Sequence, residues 1–315
     1  MTIQECIKWL ASHDNYLLLT HQNPDGDTVM SAAALCRALR RKNKKACLYP
    51  NPQITGRQLP FVEKLFAPEG YEANTVVAVD IATESLFPCE YQVKKIDLCI
   101  DHHPTNSHYA AEEVILPERS SCGEIVMKII LEWTGKLTKN EATLLYIALT
   151  TDTGAFQYAN VNADSYRAAA ALMDAGAEHS KVMLHFFRKT SMSRLRLEGM
   201  IYSGLHTVRD GKVVIATVTR KMMEEAGATE DDCDDLAGLS GRAEGALINA
   251  TIREMKDGSS RISLRSAPGI SSSDVCAALG GGGHELAAGC TLQEGPEKAE
   301  ELLLDVIDAV CGALL

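Results

Sequence analysis

The sequence contains no Cys-x-x-Cys pair, no apolar run approaching the length of a bilayer span, no internal repeat and no low-complexity tract. The first absence excludes a zinc ribbon and a thioredoxin-type redox motif. The 10 scattered cysteines read as small buried hydrophobes of a chain in a reducing cytoplasm. The second excludes a membrane-spanning helix, so no membrane partner is expected. Residues Met1 to Glu5 carry no basic segment leading into an apolar stretch, and no secretory signal is expected. Basic residues are also scarce: 31 Lys and Arg face 42 Asp and Glu, a net charge of -11 with a pI near 5.3. Binding to long duplex nucleic acid rests on Lys and Arg neutralising phosphates and is not expected. A small anionic substrate needs a metal or local positive charge to draw it in.

What is present is enough chain for two domains: 315 residues, 46% hydrophobic and 23% charged. Up to about residue 185, short β-like runs alternate with helical patterns, the signature of an α/β domain with a parallel sheet and flanking helices. Tyr16 to Thr20, Ala46 to Tyr49, Val76 to Val79 and Leu98 to Ile100 are the expected strands. Thr28 to Arg41, Cys122 to Trp133, Asn140 to Leu149 and Ala163 to Ala175 are the expected helices, with Gly135 and Gly176 at C-terminal stops. Residues 186–205 read as a helical linker. Residues 206–315 read as a smaller α+β domain, with strands at Val213 to Thr219, Ala246 to Met255 and Arg261 to Leu264. Lys256 to Ser259 should turn a hairpin, and helices are expected at Ser272 to Leu279 and Pro296 to Val310.

The chemistry gathers where strands should end. The tripeptide Asp101-His102-His103 closes the apolar run Ile96 to Ile100, His21-x-x-x-Asp25-x-Asp27 follows the first strand, and Asp80 closes Val76 to Val79. Asp152 stands in Leu149-Thr150-Thr151-Asp152-Thr153-Gly154. In open parallel sheets ligands bind outside the carboxyl ends of the strands, so segments distant in sequence can serve one crevice. Hard oxygens and imidazoles without a neighbouring cysteine suit Mn²⁺ or Mg²⁺, and after them Fe²⁺ or Co²⁺, better than structural zinc. Each segment alone has a plainer alternative: Asp27 capping a helix while Asp25 faces water, solvated histidines in a turn, structural roles for Asp80 and Asp152. Six ligand-type residues at four expected sheet-edge points favour the metal. Two divalent ions in such a setting lower the pKa of a water and hold both oxygens of an in-line displacement.

These segments, in this order, resemble the motifs of the DHH phosphoesterase family. Leu279 to Gly289, with its glycine run Gly280 to Gly283 before His284, and Ser263 to Ser266 upstream resemble the family's DHHA1 domain. The resemblance spans nearly the whole chain and is greatest with the subgroup of oligoribonucleases (nanoRNases) and 3′-phosphoadenosine 5′-phosphate (PAP) phosphatases. It implies a DHH domain over residues 1–185 and a DHHA1 substrate domain over 206–315. It implies two Mn²⁺ ions, one on His21, Asp25 and Asp80 and the other on Asp27, His102 and Asp152, with Asp80 bridging. His103 and Asp101 are the implied catalytic pair, His103 beside the substrate phosphate and Asp101 supporting it from behind. Arg265, Ser266, Gly281, Gly282, Gly283 and His284 are the implied substrate contacts, the glycine turn cradling a phosphate with its N–H groups. Asn106 touches that phosphate, orients His103 or only satisfies its own loop, and Phe156 and Tyr158 either stack a base or belong to the core.

The implied activity is a metal-dependent phosphohydrolase acting on short single-stranded oligonucleotides or small nucleotides. The alternatives are a cyclic or linear dinucleotide phosphodiesterase and, in a different class, a nucleotide-binding regulator without turnover. A homodimer is compatible with the resemblance, although nothing in the spacing requires one. Two departures stand out. Met30 adds bulk near a helix start where the family has small residues, which bears on substrate clearance. Glu285 puts a carboxylate beside the expected phosphate cradle. The acidic run Glu230 to Asp235 reads as a solvated surface.

Overall fold

The computed structural model describes residues 1–88, 91, 95–233 and 236–314, apart from the side chains of Ala237 and His284. The chain divides into two compact units, Met1–Lys189 and Thr190–Leu315. In the first unit the described strands are β1 (Tyr16–Leu19), β2 (Ala46–Leu48), β3 (Thr75–Val79), β4 (Leu98–Asp101) and β5 (Glu112–Ile115). Its helices are α1 (Ile3–Ser12), α2 (Gly26–Arg41), α3 (Leu59–Val62), α4 (Cys122–Thr134), α5 (Lys139–Asp152), α6 (Ala163–Asp174) and α7 (His179–Val182).

The five strands are all parallel in the order β2-β1-β3-β4-β5. Every residue of β1 and of β4 is buried, the mark of central strands covered on both faces. One face packs on α2 and α4, with α5 laid across both helices as a further layer. The other face carries a smaller cluster, Leu17, Leu19, Ala78, Ile81, Phe87 and Ile96, flanked by Tyr49, Tyr71 and Tyr109. The expected strands and helices of this unit are present, their ends moved by a few residues. Two further elements carry weaker signals. In the edge strand β5 only Val114 is fully buried, so Glu112-Glu113-Val114-Ile115 has no apolar run to betray it. Helix α1 is announced only by its capping box, Thr2 with Glu5.

The stretch expected as a helical linker contains the end of a π-helix, Met183–Arg188, then a break, then α8 (Met192–Gly204). Leu197 and Ile201 of α8 pack with Ala216, Val218, Met223 and Leu239, inside the second unit. That unit's described strands are β6 (His206–Val208), β7 (Val213–Val218), β8 (Ile248–Glu254), β9 (Ser260–Ser266), β10 (Gly282–His284) and β11 (Ala287–Leu292). Its other helices are α9 (Arg220–Ala226), α10 (Ser272–Ala278) and α11 (Pro296–Cys311). The sheet order is β10-β11-β9-β8-β7-β6, antiparallel except for β7 with β8. Helices α10 and α11 cover one face through Val275, Cys276, Leu303 and Ile307.

The glycine run corrects an expectation. Gly282 and Gly283 lie in strand β10, paired with Gly289 and Ala288 of β11, and Glu285 and Leu286 form the two-residue hairpin loop. A Cβ on Gly281 would stand 2.2 Å from the Gly289 carbonyl oxygen, so glycine is required here by sheet packing, whatever it does for a ligand.

Candidate metal centre

The site begins at the carboxyl ends of β1, β3 and β4. After β1 the chain turns through Pro24 into α2, and Asp25 is the helix N-cap, its Oδ1 accepting from the N–H groups of Asp27 (2.9 Å) and Thr28 (3.1 Å). The capping alternative thus falls on Asp25, not on Asp27. Asp27 turns inward, is 1% exposed, and accepts from Ser31 Oγ and from the backbone N–H groups of Cys122 (2.6 Å) and Gly123 (2.9 Å). A carboxylate at the N-terminus of α4 is favoured by the helix dipole and the unpaired N–H groups there. Gly26 lets α2 start hard against α5: a Cβ there would lie 2.4 Å from Thr151 Oγ1, next to Asp152.

Asp80 follows β3 with φ at +60°, a left-handed conformation uncommon outside glycine and asparagine, held by its N–H bond to the Ile100 carbonyl. Its Oδ1 is buried without a hydrogen-bond partner and lies 3.5 Å from His102 Nε2 and 3.6 Å from His103 Nδ1. His102 is anchored through Nδ1 to the carbonyl of Arg119 (3.0 Å). That bond fixes the Nδ1–H tautomer and turns the Nε2 lone pair toward Asp27 Oδ2 (3.8 Å), Asp80 and Asp152 Oδ2 (3.6 Å). His21 is tethered the same way, Nδ1 to Gln22 O at 2.7 Å, leaving Nε2 3.7 Å from Asp25 Oδ1.

Asp152 follows no strand: the helix expected to stop at Leu149 runs on, and Asp152 is the last residue of α5. Asn160, which sequence reading passed over, donates to the Asp152 carbonyl (3.1 Å), to its Oδ2 (3.4 Å) and to Ser120 O (3.0 Å). It joins the segment that holds His102 to the one that holds Asp152. The coordinating atoms of His21, Asp25 and Asp80 lie within 4.8 Å of one another. The same holds for Asp27, His102 and Asp152, and for Asp80, His102 and His103.

Electrostatics make the cluster costly without a cation. Burial lifts the Asp27 carboxyl to about 6, with the charge of Asp25 adding to the rise against the pull of His102. Burial together with the charges of Asp27 and Asp25 pushes Asp80 well above the usual carboxylate range. Burial and Asp27 do the same to Asp152. Desolvation also opposes ionisation of Asp25, but His21 and the Thr28 N–H prevail and hold it at about 2. Desolvation likewise opposes the imidazolium of His102, yet Asp27 and Asp152 raise its pKa. A buried orphan oxygen, imidazoles locked with Nε2 inward and carboxylates crowded against their own repulsion fit a divalent-cation site.

Behind His103 stands Asp101, fully buried, its Oδ1 accepting from His103 Nδ1 at 2.7 Å. Asp101 is closed off from solvent and meets the cluster through the ring of His103. Asn106, expected at the substrate, donates to Asp101 Oδ2 at 2.6 Å and is 7% exposed, which is the orienting alternative. Met30 is fully buried in the core and puts no bulk beside the ligands. Phe156 packs on the core and stacks with Tyr166, while Tyr158 is exposed.

In the second unit Arg265 is exposed on β9. Ser266, its neighbour, faces the other way as alternate strand residues must. Its hydroxyl donates to Ile270 O at 2.6 Å and accepts from Ser272, so it is spent on the turn after β9. Glu285 is exposed in the hairpin loop, and the His284 side chain lies outside the described residues. The acidic run is less solvated than expected: Glu230 is ion-paired with Arg220, Arg253 and Lys256, and Asp234 and Asp235 lie outside the described residues.

A parallel sheet whose carboxyl edge gathers imidazoles and carboxylates in this way is the architecture of an α/β protein built around a candidate divalent-cation centre. Within that class the chain belongs to the DHH family. Residues 15–149 match the DHH family N-terminal domain and residues 210–313 the DHHA1 domain. The chain is 33% identical over 283 residues to the bifunctional oligoribonuclease and PAP phosphatase NrnA of Thermus thermophilus, covering 88% of this chain and 83% of that one. It is 28% identical over 309 residues to NrnA of Mycoplasma genitalium, covering 92% of each. The crystal structure of an exopolyphosphatase-related protein from Bacteroides fragilis shares the fold, with a TM-score of 0.85, 21% identity and coverage of 98% and 95%. Among the described residues no helix is long and apolar enough to cross a membrane.

Proposed function

We propose that this protein is a Mn²⁺-dependent phosphohydrolase that cleaves phosphate esters of short single-stranded oligonucleotides and of small nucleotides such as PAP. The observation that carries the reading is Asp80: a strained, buried aspartate whose Oδ1 lacks a hydrogen-bond partner and borders two imidazoles. The likeness to NrnA proteins, which are named for oligoribonuclease and PAP phosphatase activity, supplies the substrate class.

In this reading His21, Asp25 and Asp80 would hold one cation, and Asp27, His102 and Asp152 would hold the other. Bound there, two such cations supply Lewis acidity at the phosphoryl oxygens and lower the pKa of a water. The chain's own residues do the rest. The Arg119 and Gln22 carbonyls keep Nε2 of His102 and His21 free of a proton at the side facing the carboxylates. Asp101, held by Asn106, fixes the ring of His103 through Nδ1. His103 then donates to a phosphoryl oxygen or to the departing alkoxide. Arg265 takes a terminal phosphate in a two-pronged contact.

The test is one purified sample assayed with and without Mn²⁺ against dinucleotides, longer strands, PAP, cyclic dinucleotides and pyrophosphate. Turnover of the short linear strands and of PAP is expected, abolished by a chelator and restored by Mn²⁺. Cleavage confined to cyclic dinucleotides or to pyrophosphate overturns the substrate class. Nucleotide binding without any product in the metal-loaded protein overturns the enzymatic reading.

A further inference from the structure

Strand β9 directs Arg261, Ser263 and Arg265 to one face of its sheet, because Ile262 and Leu264 between them are buried in the core on the other. The register sets these three opposite Arg253, Thr251 and Asn249 of β8, and opposite Thr291, Gly289 and Ala287 of β11. Arg261 and Arg265 are both exposed. Among the described residues no carboxylate is ion-paired with either, whereas the neighbouring Arg253 is neutralised by Glu230. In a chain of net charge -11, these are two guanidiniums on one strand face without an ion-paired carboxylate among the described residues. Gly289 and Ala287 leave the β11 side of the row low. At ~3.3 Å per residue, Arg261 and Arg265 stand about 13 Å apart with Ser263 midway. That row offers one hydrogen-bonding side chain for each nucleotide step of an extended strand.

We propose that Arg261 and Ser263 continue the phosphate-binding row that starts at Arg265, so that β9 takes the sugar-phosphate backbone of a single-stranded oligonucleotide longer than a dinucleotide. The proposal rests on the reading of the protein as a short-oligonucleotide phosphohydrolase and adds to it a subsite that reads substrate length. A guanidinium grips a phosphate through paired N–H donors, and the Ser263 hydroxyl donates to the phosphate between the two arginines. The row carries no apolar side chain that would favour a peptide.

The experiment measures kcat/KM with Mn²⁺ for the wild type, Arg261→Ala, Arg261→Lys and Ser263→Ala on oligoribonucleotides of two to five residues. For Arg261→Ala the loss on the tetra- and pentanucleotide is expected to exceed that on the dinucleotide by about tenfold, the worth of one charged hydrogen bond. Arg261→Lys should recover much of it. With the longest substrate, the slope of log KM against log salt should become shallower by about 0.7, as for one phosphate contact on a single strand. A loss of equal size at every length, or no loss, overturns the proposal. If the wild type hydrolyses none of the series, the underlying function falls and this subsite with it; if the wild type hydrolyses them and the variants keep its length profile, only the subsite falls.

Discussion

In the first unit four aspartates crowd three histidines at the edge of a parallel sheet, mostly out of water and with one carboxylate oxygen of Asp80 lacking a partner. In the second, two arginines on β9 lie open to solvent, and among the described residues that unit carries no cluster of ligand-type residues. The contrast is one of dielectric. Like charges brought together in a desolvated pocket are costly, and the cost persists only where a bound ion compensates it. Exposed arginines cost little and hold a ligand weakly one at a time, so recognition there must come from several contacts in a row. In the proposed reading the first unit serves cation binding and chemistry, and the second serves additive recognition.

The sharpest test of this contrast is Asp80→Asn. Asparagine preserves shape and tolerates the +60° φ, so only the charge changes. Turnover should fall by at least about 10³-fold, and titration calorimetry should lose Mn²⁺ binding. The cation-free variant should melt higher than the cation-free wild type, because a buried repulsion has gone. A lower melting temperature would break the account of the pocket as strained without its ion. On the other side of the comparison, Arg265→Ala should raise KM by about tenfold and leave Mn²⁺ stoichiometry as it was. Loss of metal from that variant would show that the two units do not divide the labour.

Asn160→Ala falls between these two. It removes the bridge from Ser120 to Asp152, including the bond to Asp152 Oδ2, while leaving every proposed ligand residue in place. Mn²⁺ affinity should weaken by about tenfold, the low end for outer supports of a metal site, with KM nearly constant at saturating metal. Rescue of activity by added Mn²⁺ distinguishes this from a folding defect.

Acidification should move the two states of the first unit in opposite directions. Asp27, lifted to about 6 when folded, ionises near 4 when unfolded, so its stabilising contribution is complete below the unfolded value and disappears as pH rises through 6. His21 and His102, also raised, act in the same sense. The cation-free protein should therefore melt higher at pH 5 than at pH 7. Mn²⁺ affinity should fall over the same interval, by about tenfold per pH unit for each proton displaced. Arg261, Ser263 and Arg265 of β9 carry no such group, so nucleotide contacts there should not follow this profile.

The asymmetry also explains what sequence could reveal. Ligand chemistry restricts residue type, and His21, Asp25, Asp27, Asp80 and the Asp101-His102-His103 tripeptide sit beside apolar strands that announce themselves. Asp152 was recognisable as a residue, but the helix expected over Asn140 to Leu149 runs three residues further and ends on it, because the polar run Thr150-Thr151-Asp152 reads as the start of a loop. Asn160 carried no signal, since an asparagine between an alanine and a valine in a loop is ordinary. In the second unit the alternation of β9 was available, yet Ser266 was grouped with Arg265 as a neighbour in sequence. A strand turns adjacent residues to opposite faces, and Ser263 shares the face of Arg265 instead. The glycine run looked like a loop because glycine is rare in strands, although here close approach of β11 demands it.

The smallest expected effect concerns Met30, whose bulk beside the helix start pointed from sequence toward a hindered substrate. It is fully buried among the core residues of the first unit, one turn past Asp27. Although side chains three apart along a helix are neighbours, here Asp27 accepts from the N-terminus of α4 while Met30 packs in the interior. Met30→Leu is close to volume-conserving and should cost less than about 1.5 kcal/mol. For a unit of this size that is a melting shift of a few degrees, at ~2–4 °C per kcal/mol. KM and Mn²⁺ affinity should stay at wild-type values. A change in KM at constant melting temperature would return this side chain to the substrate's path and blur the separation between packing and chemistry on α2.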